Sequence, residues 1–138
     1  KEEKEKSIKM SERLNLYKDR QRNNLSENAY GAIVRLRMDN SHPLGFGYDK
    51  EYLSLKLRNR RYAYLESGWN VGTTQDSTSI VSGFVGFKAK QNFRESLVFG
   101  VEEIGRGSVV YMVDNPLFRG FWYNGKLLFG NAVFLVGN

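Results

Sequence analysis

Residues 105–137 read GRGSVVYMVDNPLFRGFWYNGKLLFGNAVFLVG, and this stretch carries the strongest fold signals in the chain. Its apolar run at 109–113 is rich in β-branched residues and ends at turn residues, which is typical of a strand buried on both faces. Residues 97–104 predict a preceding strand, and the glycines at 105 and 107 supply the positive φ angles of a tight turn. The sequence therefore predicts a β-hairpin here.

The segment after this hairpin predicts a C-terminal helix. Pro116 ends the strand because it has no N–H to donate. Apolar residues then recur at spacings of three and four across residues 125–136, which favours a helix. An interior glycine such as Gly130 costs about 1 kcal/mol relative to alanine, so we expect it to permit close packing on the sheet. The apolar run is well short of the ~20 residues that a membrane helix needs, so no membrane span is predicted.

The N-terminal end predicts a charged linker followed by one domain. Residues 1–6 alternate in charge without an apolar residue, which is typical of a linker. Residues 7–138 are then of the right length for a single domain with a real core. Within it, residues 7–22 carry a narrow apolar stripe, which predicts a helix ended by Asn23 and Asn24.

The middle of the chain predicts several strands. Residues 31–38 alternate cleanly between apolar and polar side chains, as a half-buried strand does. Residues 52–57 alternate as well, and we expect the leucines to face the core and the polar residues to face solvent. The expected inward residues are Leu53, Leu55 and Leu57, and the expected outward residues are Ser54 and Lys56.

The segments that follow are less regular. Residues 62–65 predict a shorter strand, residues 67–79 a polar surface excursion, and residues 80–87 a strand or a short helix. Residues 89–95 carry basic and polar side chains into the hairpin. Together these patterns predict an α/β or α+β fold, with a mixed β-sheet between an N-terminal and a C-terminal helix. The residues predicted to form the core are Val109, Val110, Met112, Phe118, Trp122, Phe129 and Phe134.

Composition narrows the function classes. Cysteine is absent, which excludes a disulfide framework, a thiolate metal site and a cysteine nucleophile within these residues. The net charge of +6 invites a nucleic-acid interpretation. The basic clusters at 18–22 and 58–61 match no RNP, zinc-finger or helix-turn-helix pattern, so we expect solvated surfaces and no nucleic-acid partner.

Candidate catalytic chemistry is sparse. His42 is the single histidine, and a zinc site usually takes two or more His or Cys ligands at fixed spacing. No G-x-S-x-G elbow is present to place a nucleophilic serine near it. Glu102 and Glu103 are adjacent on a predicted strand and so face opposite ways. The sequence therefore predicts no catalytic residue and no metal ligand, and His42 is interpreted as a hydrogen-bonded turn residue or a ligand contact.

Four residues are the candidates for ligand or interdomain contacts: His42, Trp69, Arg119 and Trp122. The two tryptophans can stack on a sugar or a base, or pack in a core or between domains. Arg119 follows a predicted buried strand, at the end where open α/β sheets bind ligands. Both a structural salt bridge and a ligand contact fit Arg119.

Several blocks resemble one group of proteins when taken together. They read DNSHPLGFGY at 39–48, GWNVG at 68–72, DNPLFRGFW at 114–122 and LFGNA at 128–132. In order and sequence they resemble large bacterial zinc carboxypeptidases of the carboxypeptidase A-like superfamily that carry a C-terminal class I glutamine amidotransferase-like domain. The resemblance runs from about residue 16 to the C-terminus and corresponds to the distal part of that accessory domain.

The resemblance implies a role without catalysis for this chain. In that family the zinc ligands and the catalytic glutamate belong to an upstream metallopeptidase domain, and none of their motifs occurs here. No catalytic or metal residue is therefore carried over, and zinc is expected only in the parent's peptidase domain. The chain would be part of a flavodoxin-like layer, with the upstream domains of the same polypeptide as its partners and a peptide as the parent hydrolase's substrate. The family's export implies a periplasmic or extracellular setting.

Two other functions are the alternatives. A stand-alone binding module would use the basic and aromatic surface to hold polyanions or glycans. An independent hydrolase would need a catalytic constellation that the sequence does not present. The oligomeric state stays open, since a monomer and an oligomer both fit the sequence.

Overall fold

The computed structural model describes residue 14, residues 16–75 and residues 79–137. In chain order the helices and strands are α1 (Arg20–Glu27), β1 (Ala29–Met38), β2 (Glu51–Lys56), β3 (Trp69–Thr74), β4 (Ile80–Val85), α2 (Phe87–Asn92), β5 (Ser96–Ile104), β6 (Gly107–Met112) and α3 (Lys126–Phe134). The predicted combination of a β-sheet with an N-terminal and a C-terminal helix is confirmed.

The described strands form one curled sheet that resembles half of a barrel. The strands lie in the order β2-β1-β3-β5-β6, and β4 pairs with β1. Every described pair is antiparallel. This pairing differs from a flavodoxin-like layer and from a mixed sheet, both of which contain parallel strands joined by crossover connections. Two of the pairs, β1–β2 and β5–β6, join consecutive strands, whereas β1–β3, β1–β4 and β3–β5 join strands that are further apart in the chain.

The predicted hairpin of β5 and β6 is confirmed, but β6 is not the strand that is buried on both faces. Ile104 pairs with Gly107, and Gly105 takes the positive φ of 63° that the turn requires. Within the described sheet β6 is an edge strand, and Val109 is 40% exposed. The strand buried on both faces is β5, because it lies between β3 and β6 and is buried continuously from Ser96 to Val101.

The side chains of β2 face the opposite way from the prediction. Tyr52, Ser54 and Lys56 are buried, whereas Leu53 and Leu57 are exposed. A shift of one residue moves every side chain of a strand to the other face of the sheet. The buried face is fixed by Tyr52, whose ring packs edge-on at 5.3 Å from that of Phe99, and by the ion pair of Lys56 described below.

Residues 67–79 were predicted as a surface excursion, and this prediction is wrong for β3. Val71, Gly72 and Thr74 are buried in a strand between β1 and β5. Glycine and polar residues hide the strand pattern, yet each has a packing reason. A Cβ on Gly72 would lie 2.7 Å from Cδ2 of Phe99, so only glycine admits that ring.

The neighbouring segments also differ from the prediction in part. Residues 62–65 are not a strand, although the Tyr62 carbonyl accepts a hydrogen bond from the N–H of Leu97 (2.9 Å). Of the two alternatives predicted for residues 80–87, the strand is observed, as β4. The polar residues before the hairpin form the short helix α2, which buries Ala89 against the core.

Half of the predicted N-terminal helix, residues 7–13 and residue 15, lies outside the described residues. Its described part begins with a 3-10 turn at Tyr17–Asp19 and continues as α1. The prediction that Asn23 and Asn24 end the helix is wrong, since α1 continues to Glu27. The side-chain N–H of Asn28 donates to the Asn24 carbonyl (2.9 Å) and to Asn24 Oδ1 (2.6 Å), so the asparagines support the last turn.

The predicted C-terminal helix is confirmed as α3, but the reason given for Gly130 is wrong. A Cβ on Gly130 would meet nothing within 4 Å, so this glycine serves no close contact. The close approach occurs at Gly125, where a Cβ would collide with the Pro116 carbonyl. None of the helices in the described part of the chain is both long enough and apolar enough to cross a membrane.

The core lies inside the curled sheet rather than around the last third of the chain. Its buried side chains include Val34, Leu36, Leu44, Tyr52, Val71, Phe93, Val98, Phe99 and Leu128. Of the predicted core residues, Val110 and Met112 are partly buried against this cluster. Phe118 and Trp122 are also partly buried. Val109, Phe129 and Phe134 are exposed, because β6 is an edge strand and α3 turns these phenylalanines away from the sheet.

Candidate functional site

An open cleft of about 650 Å³ lies where four segments meet. Its lining comes from the turn at residues 39–43, the start of β3, the β5–β6 hairpin and residues 135–137, which follow α3. The side chains that give the cleft its chemistry are Asp39, His42, Trp69, Glu103, Arg106 and Ser108. The cleft therefore joins two of the four predicted contact residues, His42 and Trp69, on different segments of the chain.

Trp69 is held at this cleft by the residues on either side of it. Gly68 has a φ of +108°, and a Cβ there would collide with the Val101 carbonyl. The side chain of Asn70 accepts from the N–H of Leu65 (2.8 Å) and donates to the Leu65 carbonyl (3.3 Å). These contacts fix the backbone, while the indole itself is 55% exposed.

His42 is fixed by a hydrogen bond to the turn that follows it. Its Nδ1 accepts from the N–H of Leu44 (3.0 Å), so Nε2 carries the hydrogen when the ring is neutral. The ring centroids of His42 and Trp69 are 5.9 Å apart. Partial burial lowers the pKa of His42, and the nearby carboxylate of Asp39 opposes that shift. The interpretation of His42 as a hydrogen-bonded turn residue is thus consistent with the structure, and Nε2–H remains a donor for a ligand.

Asp39 joins the turn to the sheet. Its Oδ1 accepts from the N–H (3.0 Å) and the hydroxyl (2.6 Å) of Ser41, and its own N–H donates to the Val71 carbonyl (2.8 Å). The hydrogen bond from the Ser41 side chain lowers the pKa of Asp39, against a smaller opposing effect of burial. The carboxylate is therefore ionised at neutral pH.

The other two predicted contact residues lie away from the cleft. Arg119 is exposed in a turn with a φ of +50°, and its guanidinium carbon is 5.2 Å from the centroid of the Phe118 ring. No salt bridge of Arg119 occurs within the described residues. Trp122 is half-buried beside Tyr52; burial raises the pKa of the Tyr52 hydroxyl, and the Trp122 indole N–H opposes that shift. Neither polar atom makes a full hydrogen bond to the described residues.

A buried ion pair is the main polar feature that the sequence did not reveal. Lys56 Nζ lies 3.2 Å from Asp114 Oδ1, and the side chains are 1% and 8% exposed. The Ser54 hydroxyl donates to Asp114 Oδ2 (2.7 Å), and Lys56 Nζ lies 5.5 Å from the centroid of the Phe93 ring. The leucines of β2 gave a competing hydrophobic pattern, so no sequence signal pointed to this pair.

The blocks 39–48, 68–72 and 128–132 meet in space. The buried amide of Asn131 donates to the carbonyls of Leu44 (3.1 Å) and Phe46 (2.7 Å). The Tyr48 hydroxyl accepts from the N–H of Leu128 (2.8 Å) and donates to the Asn124 carbonyl (2.6 Å). With the Asp39–Val71 bond, these contacts tie the 39–48 turn to both α3 and β3.

The described residues contain no group of three or more His, Asp or Glu side chains that could hold a metal ion. Comparison with protein-family models, with curated proteins and with solved structures found no match.

Proposed function

We propose that this chain is a non-catalytic accessory domain of an exported bacterial zinc carboxypeptidase and that it packs against upstream domains of the same polypeptide. In this proposal the zinc and the catalytic residues lie upstream, the setting is periplasmic or extracellular, and this chain stabilises or positions the peptidase. The parent family is proposed from the sequence blocks described above.

The observation that carries the packing part of the proposal is the apolar outer surface of α3. This helix, KLLFGNAVF, buries Leu128 and Asn131. On the face opposite these two, Phe129 and Val133 are 44% and 55% exposed. A surface helix normally carries polar residues on its outer face, and one that is apolar all round is usually buried. Exposed apolar patches of this kind mark interaction surfaces.

The polar contacts of the three blocks also favour a structural role. The Asn131 amide contacts backbone carbonyls of the 39–48 block, and the Tyr48 hydroxyl contacts backbone atoms of Leu128 and Asn124. Such bonds hold turns in place and leave little capacity for acid–base chemistry. Three of the four blocks that carry the resemblance, 39–48, 68–72 and 128–132, are therefore joined in one scaffold.

The test compares this chain with the complete natural polypeptide that contains it. Zinc content is measured by metal analysis, and carboxypeptidase activity is measured with peptides blocked at the amino end. We expect zinc and cleavage in the complete polypeptide and neither in this chain alone. Stoichiometric zinc or cleavage in this chain would contradict the proposal, and so would a complete polypeptide that has no peptidase activity.

A second candidate is a binding module for polyanions or glycans. The specific observation in its favour is the exposed indole of Trp69 beside His42 in an open cleft. Binding to a polyanion would weaken steeply with salt because bound counterions are released. Binding to a neutral glycan would change little with salt, so a salt titration separates the two ligand classes.

A further inference from the structure

We propose that the cleft between the 39–43 turn, β3 and the β5–β6 hairpin binds a neutral saccharide, with Trp69 as the stacking surface. This inference rests on the second candidate function, and it selects glycans over polyanions. It does not depend on the presence of a peptidase domain, because every residue it uses lies in this chain.

The exposed indole of Trp69 matches the apolar face of a sugar ring. A pyranose ring presents an apolar face of C–H groups and a rim of hydroxyl groups. An aromatic side chain with one open face supplies a large contact area for that apolar face. Trp69 is 55% exposed and lines the cleft, so part of its surface is available to a ligand.

The backbone that carries Trp69 is held in place on both sides. Gly68 and Asn70 hold the backbone on both sides of Trp69, and the pairing of Trp69 with Val101 anchors it to β5. A side chain held in its binding position loses less conformational entropy when a ligand binds. Fixed backbone on both sides is thus what a stacking residue requires.

Polar groups that can bind hydroxyl groups line the cleft together with the indole. His42 offers Nε2–H as a donor, because Nδ1 is occupied by the N–H of Leu44. Glu103 and Ser108 lie across the hairpin from each other, at paired positions of β5 and β6, and add an acceptor and a hydroxyl. Hydroxyl groups both donate and accept, so this mixed set fits the rim of a sugar.

The charge of the cleft disfavours a polyanion as its ligand. Its ionised side chains are two carboxylates, Asp39 and Glu103, and one guanidinium, Arg106. With neutral His42 the formal charge is 1 − 2 = −1, although the whole chain carries +6. An anionic ligand would therefore meet repulsion here rather than the positive field that usually attracts it. The volume of about 650 Å³ lies within the range of small-ligand sites.

The experiment is a titration of this chain with a panel of neutral disaccharides built from hexoses and N-acetylhexosamines. Binding is followed by calorimetry and by tryptophan fluorescence, with a heparin oligosaccharide as the polyanion probe. We expect at least one neutral disaccharide to bind at millimolar concentration or below, with little dependence on salt. Trp69→Ala should weaken that binding at least tenfold, and Glu103→Ala should weaken it several-fold.

Phe87→Ala is the matched control, since it removes another exposed aromatic side chain outside the cleft. Circular dichroism checks the fold of each variant. If Trp69→Ala does not fold, Glu103→Ala is the variant that tests whether the cleft binds the disaccharide. Failure of the whole panel to bind would overturn the inference. So would disaccharide binding that neither cleft variant changes, or preferential heparin binding that requires Trp69. None of these results would alter the zinc and peptidase comparison, so failure of this inference is distinguishable from failure of the accessory-domain proposal.

Discussion

At the scale of single residues, Lys56 and Asp114 join the end of β2 to the segment after β6. Both side chains are almost fully buried. Removing one member of a buried ion pair leaves an uncompensated charge in the interior, which typically costs about 3–5 kcal/mol. We therefore expect Asp114→Ala to lower the free energy of unfolding by about 3 kcal/mol, measured by urea denaturation.

The double variant Lys56→Met with Asp114→Ala is the matched control. Ser54 loses the same partner in both variants, so their difference isolates the unpaired lysine charge. Replacing a buried pair by apolar residues is often close to neutral, and the double variant should be clearly more stable than Asp114→Ala. Equal stability of the two variants would contradict the assignment of a buried charged pair.

His42 gives a prediction on pH. Its pKa in the folded state lies below the ordinary value of about 6.5. The unfolded chain therefore binds a proton at a higher pH than the folded chain does. Neutral His42 therefore contributes to the free energy of unfolding. This contribution is fully present above the pKa of the unfolded chain and is lost as the pH falls through the pKa of the folded chain.

A proton NMR titration should place the pKa of His42 below the ordinary value, and Asp39→Asn should lower it further because the opposing carboxylate is removed. His42→Asn keeps a side-chain acceptor for the Leu44 N–H and cannot titrate, so its stability should fall less between pH 7 and the folded pKa. A pKa of His42 above the ordinary value would refute this description of the site.

At the scale of elements, Gly130 within α3 and Gly125 at its N-cap have opposite roles. A Cβ on Gly130 meets nothing within 4 Å, so Gly130→Ala should stabilise the protein by up to about 1 kcal/mol through helix propensity. A Cβ on Gly125 collides with the Pro116 backbone, so Gly125→Ala should destabilise it by about 1–3 kcal/mol. Chemical denaturation of both variants measures these effects, and a loss of stability in Gly130→Ala would show that Gly130 makes a packing contact.

The orientation of β2 is tested by two neighbouring residues. Tyr52 is 2% exposed and Leu53 is 39% exposed. Tyr52→Ser should cost about 3–5 kcal/mol, as truncation of a buried aromatic side chain does. Leu53→Ser should cost clearly less in the same denaturation experiment, because much of its side chain already contacts water. A larger loss of stability for Leu53→Ser than for Tyr52→Ser would favour the orientation that the leucine pattern predicts.

The sequence predicted those elements whose own residues specify them. Strand β1 alternates cleanly, the β5–β6 turn has a glycine where φ is positive, and α3 has helical spacing. It predicted the strand β2 but with the wrong face buried, and it missed the strand β3, because the burial of both strands depends on distant partners. Lys56 can be buried because Asp114, on the segment after β6, pairs with its charge. Gly72 is buried because the ring of Phe99 packs against it.

The candidate site shows the same division. His42 and Trp69 were identified from residue type alone, since the chain has a single histidine and only two tryptophans. Their neighbours in the cleft, such as Glu103 and Arg106, were not, because the hairpin reaches the 39–43 turn only in the folded chain. Spatial neighbours of this kind have no spacing that a single sequence displays.

At the scale of the whole molecule, the proposal rests on α3 being covered in the complete polypeptide. The chain has no cysteine, so a single introduced cysteine reports the exposure of one position. Val133 lies on the apolar outer face of α3 and is 55% exposed. Gln91, an exposed polar residue of α2, provides the control position.

The most direct measurement is the rate at which a maleimide labels Val133→Cys, in this chain alone and in the complete natural polypeptide, with the labelled peptide identified by mass spectrometry. We predict that Val133→Cys is labelled at least tenfold more slowly in the complete polypeptide, while Gln91→Cys is labelled at the same rate in both. Equal labelling of Val133→Cys in the two proteins would mean that no upstream domain covers α3, and the accessory-domain proposal would then lose the observation that carries it.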